Sequence, residues 1–137
     1  LDFRFGDMIR LVGYTLAGQD AQPGDRVHLT LYWQATAPVA AAYSVFTQVI
    51  DPADAAKAGQ RDGEPGCNLF PTPTWPPGDV IADRYSIPLA IDARPGTYRL
   101  LIGMYSRESG ERLAIFSPNG DSLGDALGID EVRVAAP

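Results

Sequence analysis

The sequence predicts an all-β fold, an antiparallel sandwich of seven to nine strands built as one domain over residues 1–137. Three observations predict it. Apolar and polar side chains alternate with a period of two in several segments, which is typical of strands with one face in a core. Pro-Gly pairs separate these segments at short intervals. No segment has the length and periodicity of a stable helix. A closed barrel of the same strands is the alternative fold.

The clearest strand is RVHLTLYWQ, Arg26–Gln34, in which Val27, Leu29, Leu31 and Trp33 share one face and polar side chains share the other. Other segments rich in β-branched and aromatic residues are interpreted in the same way. In chain order they are Met8–Leu16, Ala42–Asp51, Asp79–Leu89, Thr97–Tyr105, Arg112–Phe116 and Ile129–Val134, with a further candidate at Lys57–Arg61.

The pairs Pro23-Gly24, Pro77-Gly78 and Pro95-Gly96 each stand directly before a predicted strand. Proline fixes φ at the second position of a turn and glycine accepts a positive φ at the third, which is the pattern of a type II turn. After the last pair, Tyr98 begins a strand in a position similar to the tyrosine corner of immunoglobulin-like domains. We therefore expect an immunoglobulin-like sandwich in which Tyr98 is a structural latch that bonds nearby backbone.

The net charge of -6 and the pI near 4.5 argue against binding to nucleic acid or to an anionic membrane surface. No apolar run is long enough to span a bilayer, so membrane insertion by this chain is not expected. The lone Cys67 cannot form an intrachain disulfide, and we interpret it as an ordinary loop residue. Because the chain begins with Leu1, we interpret it as a fragment of a longer protein. The sequence carries no signal for an oligomeric state.

The residues that could carry catalysis form no convincing group. His28 is the only histidine, it lies in mid-strand, and no G-x-S-x-G motif accompanies it. The paired carboxylates lie in or beside predicted turns, where Asp is favoured because it bonds its own backbone. We therefore predict no catalytic residue and no cofactor. These carboxylate pairs are Asp51 with Asp54 and Glu108 with Glu111.

The segment SPNGDSLGDALGID, residues 117–130, offers oxygen ligands that could suit calcium. However, the spacing of a calcium-binding EF-hand loop is absent. A polar, glycine-rich connection without a metal is therefore the favoured interpretation. The candidate ligands are Asn119, Asp121, Ser122, Asp125 and Asp130.

The stretch PTPTWPPGDVIADRY, residues 71–85, carries the best candidate for a ligand contact. Phe70 and Trp75 lie in a loop stiffened by four prolines. Stiffness lowers the entropic cost of presenting a ring, and sugars stack on flat aromatic faces. The competing interpretation is that Trp75 covers one end of the core. Alternation places Asp83 inward, where a carboxylate requires hydrogen-bond donors, so we interpret Asp83 as a structural latch and place Arg84 on the opposite face.

The chain resembles a known domain in the order of its motifs. These are PGDRVHLTLYW (residues 23–33), WPPGDVIADRY (residues 75–85) and then RPGTYRLLIGMYSRESGERL. It is similar to the C-terminal β-sandwich domain of bacterial membrane glycosyltransferase-like proteins, which are themselves similar to dolichyl-phosphate-mannose mannosyltransferases. The resemblance covers Phe3–Val134. It implies a non-catalytic accessory domain on the extracytoplasmic or cell-envelope side, in contact with a glycan, a lipid-linked sugar or a partner protein, and it transfers no catalytic residue.

The chain also resembles the sandwich of bacterial intracellular proteinase inhibitors. The resemblance lies in the order of four motifs, PGD, L-x-LYW, Y-x-VF and D. The alternative expectation is therefore a proteinase-inhibitor-like or adhesion-like binding module that acts through its loops. A hydrolase is the least favoured interpretation, because it would require two carboxylates that converge on one cleft.

Overall fold

The computed structural model describes residues 2–136, and within them it contains two five-stranded sheets that pack as a sandwich. The predicted all-β sandwich is confirmed. A single turn of 3-10 helix, Thr72–Thr74, lies between the sixth and seventh strands. The strands are β1 Phe3–Phe5, β2 Ile9–Ala17, β3 Asp20–Ala21, β4 Arg26–Ala35, β5 Tyr43–Ile50, β6 Lys57–Gly63, β7 Val80–Pro88, β8 Gly96–Ser106, β9 Ile115–Phe116 and β10 Leu127–Val134.

The first sheet has the strand order β7-β4-β2-β1-β9 and the second has the order β3-β10-β8-β5-β6. Neighbouring strands are antiparallel except β3 and β10. All eight segments expected from the sequence contain strand, including the candidate at Lys57–Arg61. The short strands β1 and β3 were missed, and they raise the count in residues 2–136 to ten. Two or three residues are too few for a periodic pattern to show.

The core lies between the sheets because alternate side chains of each strand point inward. In β4 the inward residues Val27, Leu29, Leu31 and Trp33 are all at most 1% exposed. The Trp33 ring packs edge-on against Phe5, with ring centroids 4.9 Å apart. Burial of each large side chain of this kind contributes about 1.5–3 kcal/mol, so the pattern seen in the sequence is also the main source of stability.

Two of the three Pro-Gly pairs form the expected turns. Gly24 and Gly78 have φ of 87° and 89°. The Asp25 N–H donates to the Gln22 carbonyl at 3.0 Å, and the Asp79 N–H donates to Pro76 in the same way. Gly96 differs, because its φ is 151° and it already belongs to β8. A φ of that size is outside the type II turn geometry.

Phe46 is an exception to the alternation in β5. Its neighbours Val45 and Thr47 face the core, so Phe46 points outward, yet it is 2% exposed. The connection 107–126 covers it, and the Arg112 guanidinium lies 4.4 Å from the ring centroid. The Phe46 ring also packs against Gly103, where a side chain would not fit, because a Cβ there would lie 2.2 Å from the ring. The outer face of the second sheet is therefore partly covered by the protein's own chain.

Candidate functional site

The segment Glu64–Phe70, called here the ridge loop, follows β6 and contains a left-handed turn. Gly66, Cys67 and Asn68 have φ of 67°, 57° and 66°. The Asn68 N–H donates to the Glu64 carbonyl at 3.0 Å, and the Asn68 side-chain oxygen accepts the Glu64 N–H at 2.8 Å. Residues other than glycine rarely adopt this conformation, which costs about 1–2 kcal/mol for a residue such as Cys67 and less for Asn68, since asparagine tolerates it. The ridge loop therefore stores strain of the kind that clusters at functional sites.

The carboxylate of Asp83 holds the ridge loop in place. Asp83 is fully buried in β7. One of its oxygens accepts the Gly66 N–H at 2.9 Å, and the other accepts the Trp33 indole N–H at 3.0 Å. Burial raises the pKa of Asp83, and these hydrogen bonds partly offset that shift by favouring the charged form. A single side chain thus joins β7, β4 and the ridge loop.

Tyr85 provides a second attachment of this region to β7. Its hydroxyl donates to the Gly63 carbonyl at 3.4 Å, at the end of β6. Burial, together with the nearby charge of Asp83, raises the pKa of Tyr85 far above its ordinary value. The phenol therefore stays protonated and available as a donor at any physiological pH. Strand β7 therefore holds both the end of β6, at Gly63, and the ridge loop, at Gly66.

Beside the ridge loop lies a cavity of about 440 Å³, called here the His28 groove. Its floor carries outward-facing residues of two paired strands, with His28 opposite Ser86 and Thr30 opposite Arg84. This volume is in the range of small-ligand sites. The wall is formed by the end of β6 and the ridge loop, through Arg61, Asp62, Gly63, Glu64, Cys67 and Asn68.

A second cavity, of about 600 Å³, lies on the other side of the same wall and is bordered by Ser44 and Tyr105. The Tyr105 hydroxyl donates to Asp62 at 3.0 Å, and burial together with this contact raises the pKa of Tyr105. Arg107 forms an ion pair with Glu64. The two acidic residues of the shared wall therefore find their partners on the side of the second cavity.

Trp75 was expected either to contact a ligand or to cover the core, and the structure places it over the core. Its side chain is 3% exposed, and its indole N–H donates to the Phe70 carbonyl at 2.7 Å. A ring in this position offers no face to a ligand, so the expected ligand contact by Trp75 is corrected. Phe70 is 51% exposed, and its ring packs over the bare backbone of Gly66. Trp75 therefore supports the ridge loop from below, while Phe70 meets solvent.

Tyr98 lies away from both cavities. It is 3% exposed, and its hydroxyl donates to the Arg94 carbonyl at 2.7 Å. This is the contact of a tyrosine corner, in which the hydroxyl satisfies backbone at the base of a strand.

Two of the three carboxylates of the 119–130 segment have separate partners. Asp125 pairs with Arg112 at 3.4 Å, and Asp130 accepts the Tyr14 hydroxyl at 3.0 Å. Among residues 2–136, no group of three or more His, Cys, Asp or Glu side chains is arranged to hold a metal ion.

The sequence interpretation missed the His28 groove as a site. His28 and Cys67 were interpreted singly, as an ordinary strand residue and an ordinary loop residue. Alternation does place His28 and Arg84 on outward faces. The pairing of β4 with β7, and the path of the ridge loop beside them, leave no short-range signal in the sequence, because these contacts join residues that are 17 (Gly66 and Asp83) to 62 (Arg26 and Pro88, 88 - 26) positions apart.

No protein-family model matches this chain, and no curated protein is similar to it. Among solved structures, the C-terminal domain of Wzt is similar in fold, with a TM-score of 0.60 over 98% of this chain and 78% of that chain. The two sequences are 12% identical, so the likeness concerns the fold alone. It agrees with the β-sandwich described above. Residues 2–136 contain no helix long and apolar enough to cross a membrane.

Proposed function

We propose that this chain is a non-catalytic binding module that holds a glycan in the His28 groove. One observation carries the proposal. The fold buries a carboxylate, Asp83, and keeps Cys67 and Asn68 in a left-handed turn beside a polar groove. A buried charge and a strained backbone are both unfavourable by themselves. Their coincidence at the wall of one groove favours a site held ready for a ligand.

The chemistry of the groove suits a sugar. Thr30 and Ser86 bring hydroxyls, Asn68 brings an amide, and Arg84 brings a planar guanidinium. Such groups match the hydroxyls of a sugar as donors and acceptors. Phe70 is half exposed on the ridge loop but is outside the lining of the groove, and it offers an aromatic face on which the apolar C–H face of a sugar ring that extends beyond the groove can stack. Because the loop is already fixed, little ordering entropy is lost on binding.

We further propose that the chain is a single sandwich domain of a longer bacterial protein of the membrane glycosyltransferase-like type, located on the extracytoplasmic side. The support is the order of the motifs PGDRVHLTLYW and WPPGDVIADRY. In that setting the ligand is a glycan or a lipid-linked sugar, and catalysis belongs to another part of the protein.

The second candidate function is a protein-binding module of the proteinase-inhibitor-like or adhesion-like kind. It is favoured by the tip of the ridge loop, where Leu69 is 76% exposed and Phe70 is 51% exposed. Two neighbouring apolar side chains on a rigid loop resemble the anchors of protein interfaces.

A glycan array tests the proposed function. We expect the chain to bind a subset of glycans, and we expect His28→Ala and Phe70→Ala each to weaken that binding about tenfold, equivalent to about 1.4 kcal/mol. Ile91→Ala is the matched control, because Ile91 is 88% exposed and borders neither cavity. If no glycan binds, or if all three variants bind alike, the glycan-binding proposal is wrong. Loss of binding to a protein ligand in Leu69→Ala and Phe70→Ala alone would favour the second candidate.

A further inference from the structure

We propose that the His28 groove selects an acidic glycan, one that carries carboxylate, sulfate or phosphate groups, through Arg84 and Arg61. This inference rests on the proposed function and specifies the class of ligand. It begins from two arginines, Arg61 and Arg84, that line the groove of a protein whose net charge is -6.

The two arginines of the groove have no acidic partner among residues 2–136. Arg61 and Arg84 both line the groove, and neither forms an ion pair there. Elsewhere in the same residues, five arginines pair with carboxylates and three, Arg4, Arg26 and Arg99, do not; the paired ones are Arg10, Arg94, Arg107, Arg112 and Arg133.

The two carboxylates of the groove wall, Asp62 and Glu64, form no ion pair with these arginines. Asp62 accepts the Tyr105 hydroxyl at 3.0 Å and the Gln60 amide at 3.1 Å. Glu64 pairs with Arg107. Both carboxylates line the groove, but neither lies within ion-pair distance of Arg61 or Arg84. The two guanidinium groups are therefore left without an ionic partner in the described residues.

The strand register brings the donors together. Thr30 pairs with Arg84, and the next outward pair on the same two strands is His28 with Ser86. A guanidinium, two hydroxyls and an imidazole therefore share the floor of the groove, and Arg61 lies in the wall beside it. A planar guanidinium binds carboxylate, sulfate or phosphate oxygens in a bidentate manner.

The wall contributes donors as well. The side-chain oxygen of Asn68 already accepts the Glu64 N–H at 2.8 Å, which leaves its NH₂ group as its remaining hydrogen-bonding group. The Gly63 carbonyl accepts the Tyr85 hydroxyl. Arg61, Arg84 and the Asn68 amide therefore present donors to one groove, and a ligand that carries anionic acceptors satisfies these donors best.

The proposal is tested by calorimetric titration with matched saccharides. The acidic probe is tetragalacturonate, and the neutral probe is the same tetrasaccharide after its carboxyl groups are reduced; a sulfated heparin tetrasaccharide and inorganic phosphate complete the set. We expect at least one acidic saccharide to bind at least tenfold tighter than the neutral one, and we expect its affinity to fall as NaCl is raised.

The variants are Arg84→Gln and Arg61→Gln, with Arg99→Gln as the control. Arg99 is exposed, borders neither cavity, and gives the same change in net charge when replaced. We expect each groove variant to weaken binding of the acidic saccharide about five- to tenfold, and we expect the control to leave it unchanged. Thermal unfolding of each variant checks that the fold is intact.

The outcomes separate this inference from the proposed function. Equal binding of neutral and acidic saccharides would overturn the selection for acidic ligands and leave glycan binding in place. An equal loss in Arg99→Gln would show general charge attraction and overturn the site. Binding of phosphate that Arg84→Gln abolishes, without binding of any saccharide, would support the anion site and contradict the glycan-binding proposal.

Discussion

The ridge loop and the connection 107–126, which contains the short strand β9, both carry glycine and polar residues, but their backbone conformations differ. In the ridge loop, Cys67 and Asn68 take left-handed φ values without being glycine. In the connection, the residues with positive φ are Gly110, Gly120 and Gly124. Glycine adopts this conformation without steric cost. The connection is therefore relaxed, whereas the ridge loop is held in an unfavourable conformation.

The two segments also differ in what holds them. The ridge loop is tied to the core by the fully buried Asp83, whereas Asp125 of the connection pairs with Arg112 at the surface. The connection covers Phe46, and the ridge loop borders an open groove. Of these two segments, the strained one, which a buried charge anchors, is the one beside an open groove, and the glycan-binding proposal explains that difference.

The largest expected effect comes from Asp83→Ala. It leaves the N–H groups of Gly66 and Trp33 without their acceptor and opens a small cavity, so we expect the free energy of unfolding to fall by about 3 kcal/mol. Urea denaturation measures it. Asp92→Ala, at an exposed position, is the control and should change stability by less than about 0.5 kcal/mol. If the free energy of unfolding of Asp83→Ala falls by less than about 1 kcal/mol, Asp83 does not anchor the ridge loop.

A smaller effect is expected from glycine and alanine at the strained positions. Cys67→Gly removes the steric cost of φ 57°, so we expect it to be more stable than Cys67→Ala by about 1 kcal/mol. In the connection, Gly120→Ala should instead lose about 1 kcal/mol relative to the natural protein, because φ there is 86° and no atom lies within 4 Å to clash. Thermal unfolding compares the three variants. Equal stability of Cys67→Gly and Cys67→Ala would contradict the strain assigned to the ridge loop.

The smallest expected effect is a change with pH in the stability of the natural protein relative to Asp83→Asn. Because the pKa of Asp83 is raised by burial, protonation favours the folded state. That contribution is complete below the unfolded pKa, near 3.9, and is lost as pH rises through the folded value. We therefore expect the stability of the natural protein relative to Asp83→Asn to increase as pH falls from 7 towards 4.

Asp54→Asn provides a control of opposite sign. The Ala56 N–H and then Arg94 lower the pKa of Asp54, so the natural protein should lose its advantage over Asp54→Asn as pH falls. Denaturant titrations at several pH values measure both differences. If both stability differences, relative to Asp83→Asn and relative to Asp54→Asn, changed in the same direction as pH falls, the carboxylate of Asp83 would not be destabilised by burial.

The strands and their inward faces were predictable because they depend on a local period of two. The alternation through Ile81, Tyr85 and Ile87 also predicts an inward Asp83, but its donors were not predictable. The Trp33 indole and the Gly66 N–H stand 50 and 17 positions away in sequence. Phe46 shows the same limit, since its outward position follows from alternation and its burial depends on Arg112 of a distant connection.

Neighbouring residues and the two-residue period of the backbone are enough to predict an all-β sandwich, most of its strands, two of its Pro-Gly turns and the inward position of Asp83. The burial of Trp75 and the exposure of Phe70 follow instead from long-range packing. Long-range packing also places His28, Arg61 and Arg84 in one groove. These facts depend on which strand edges meet and on how a strained loop is anchored, and such long-range contacts leave no periodic signal in a single sequence.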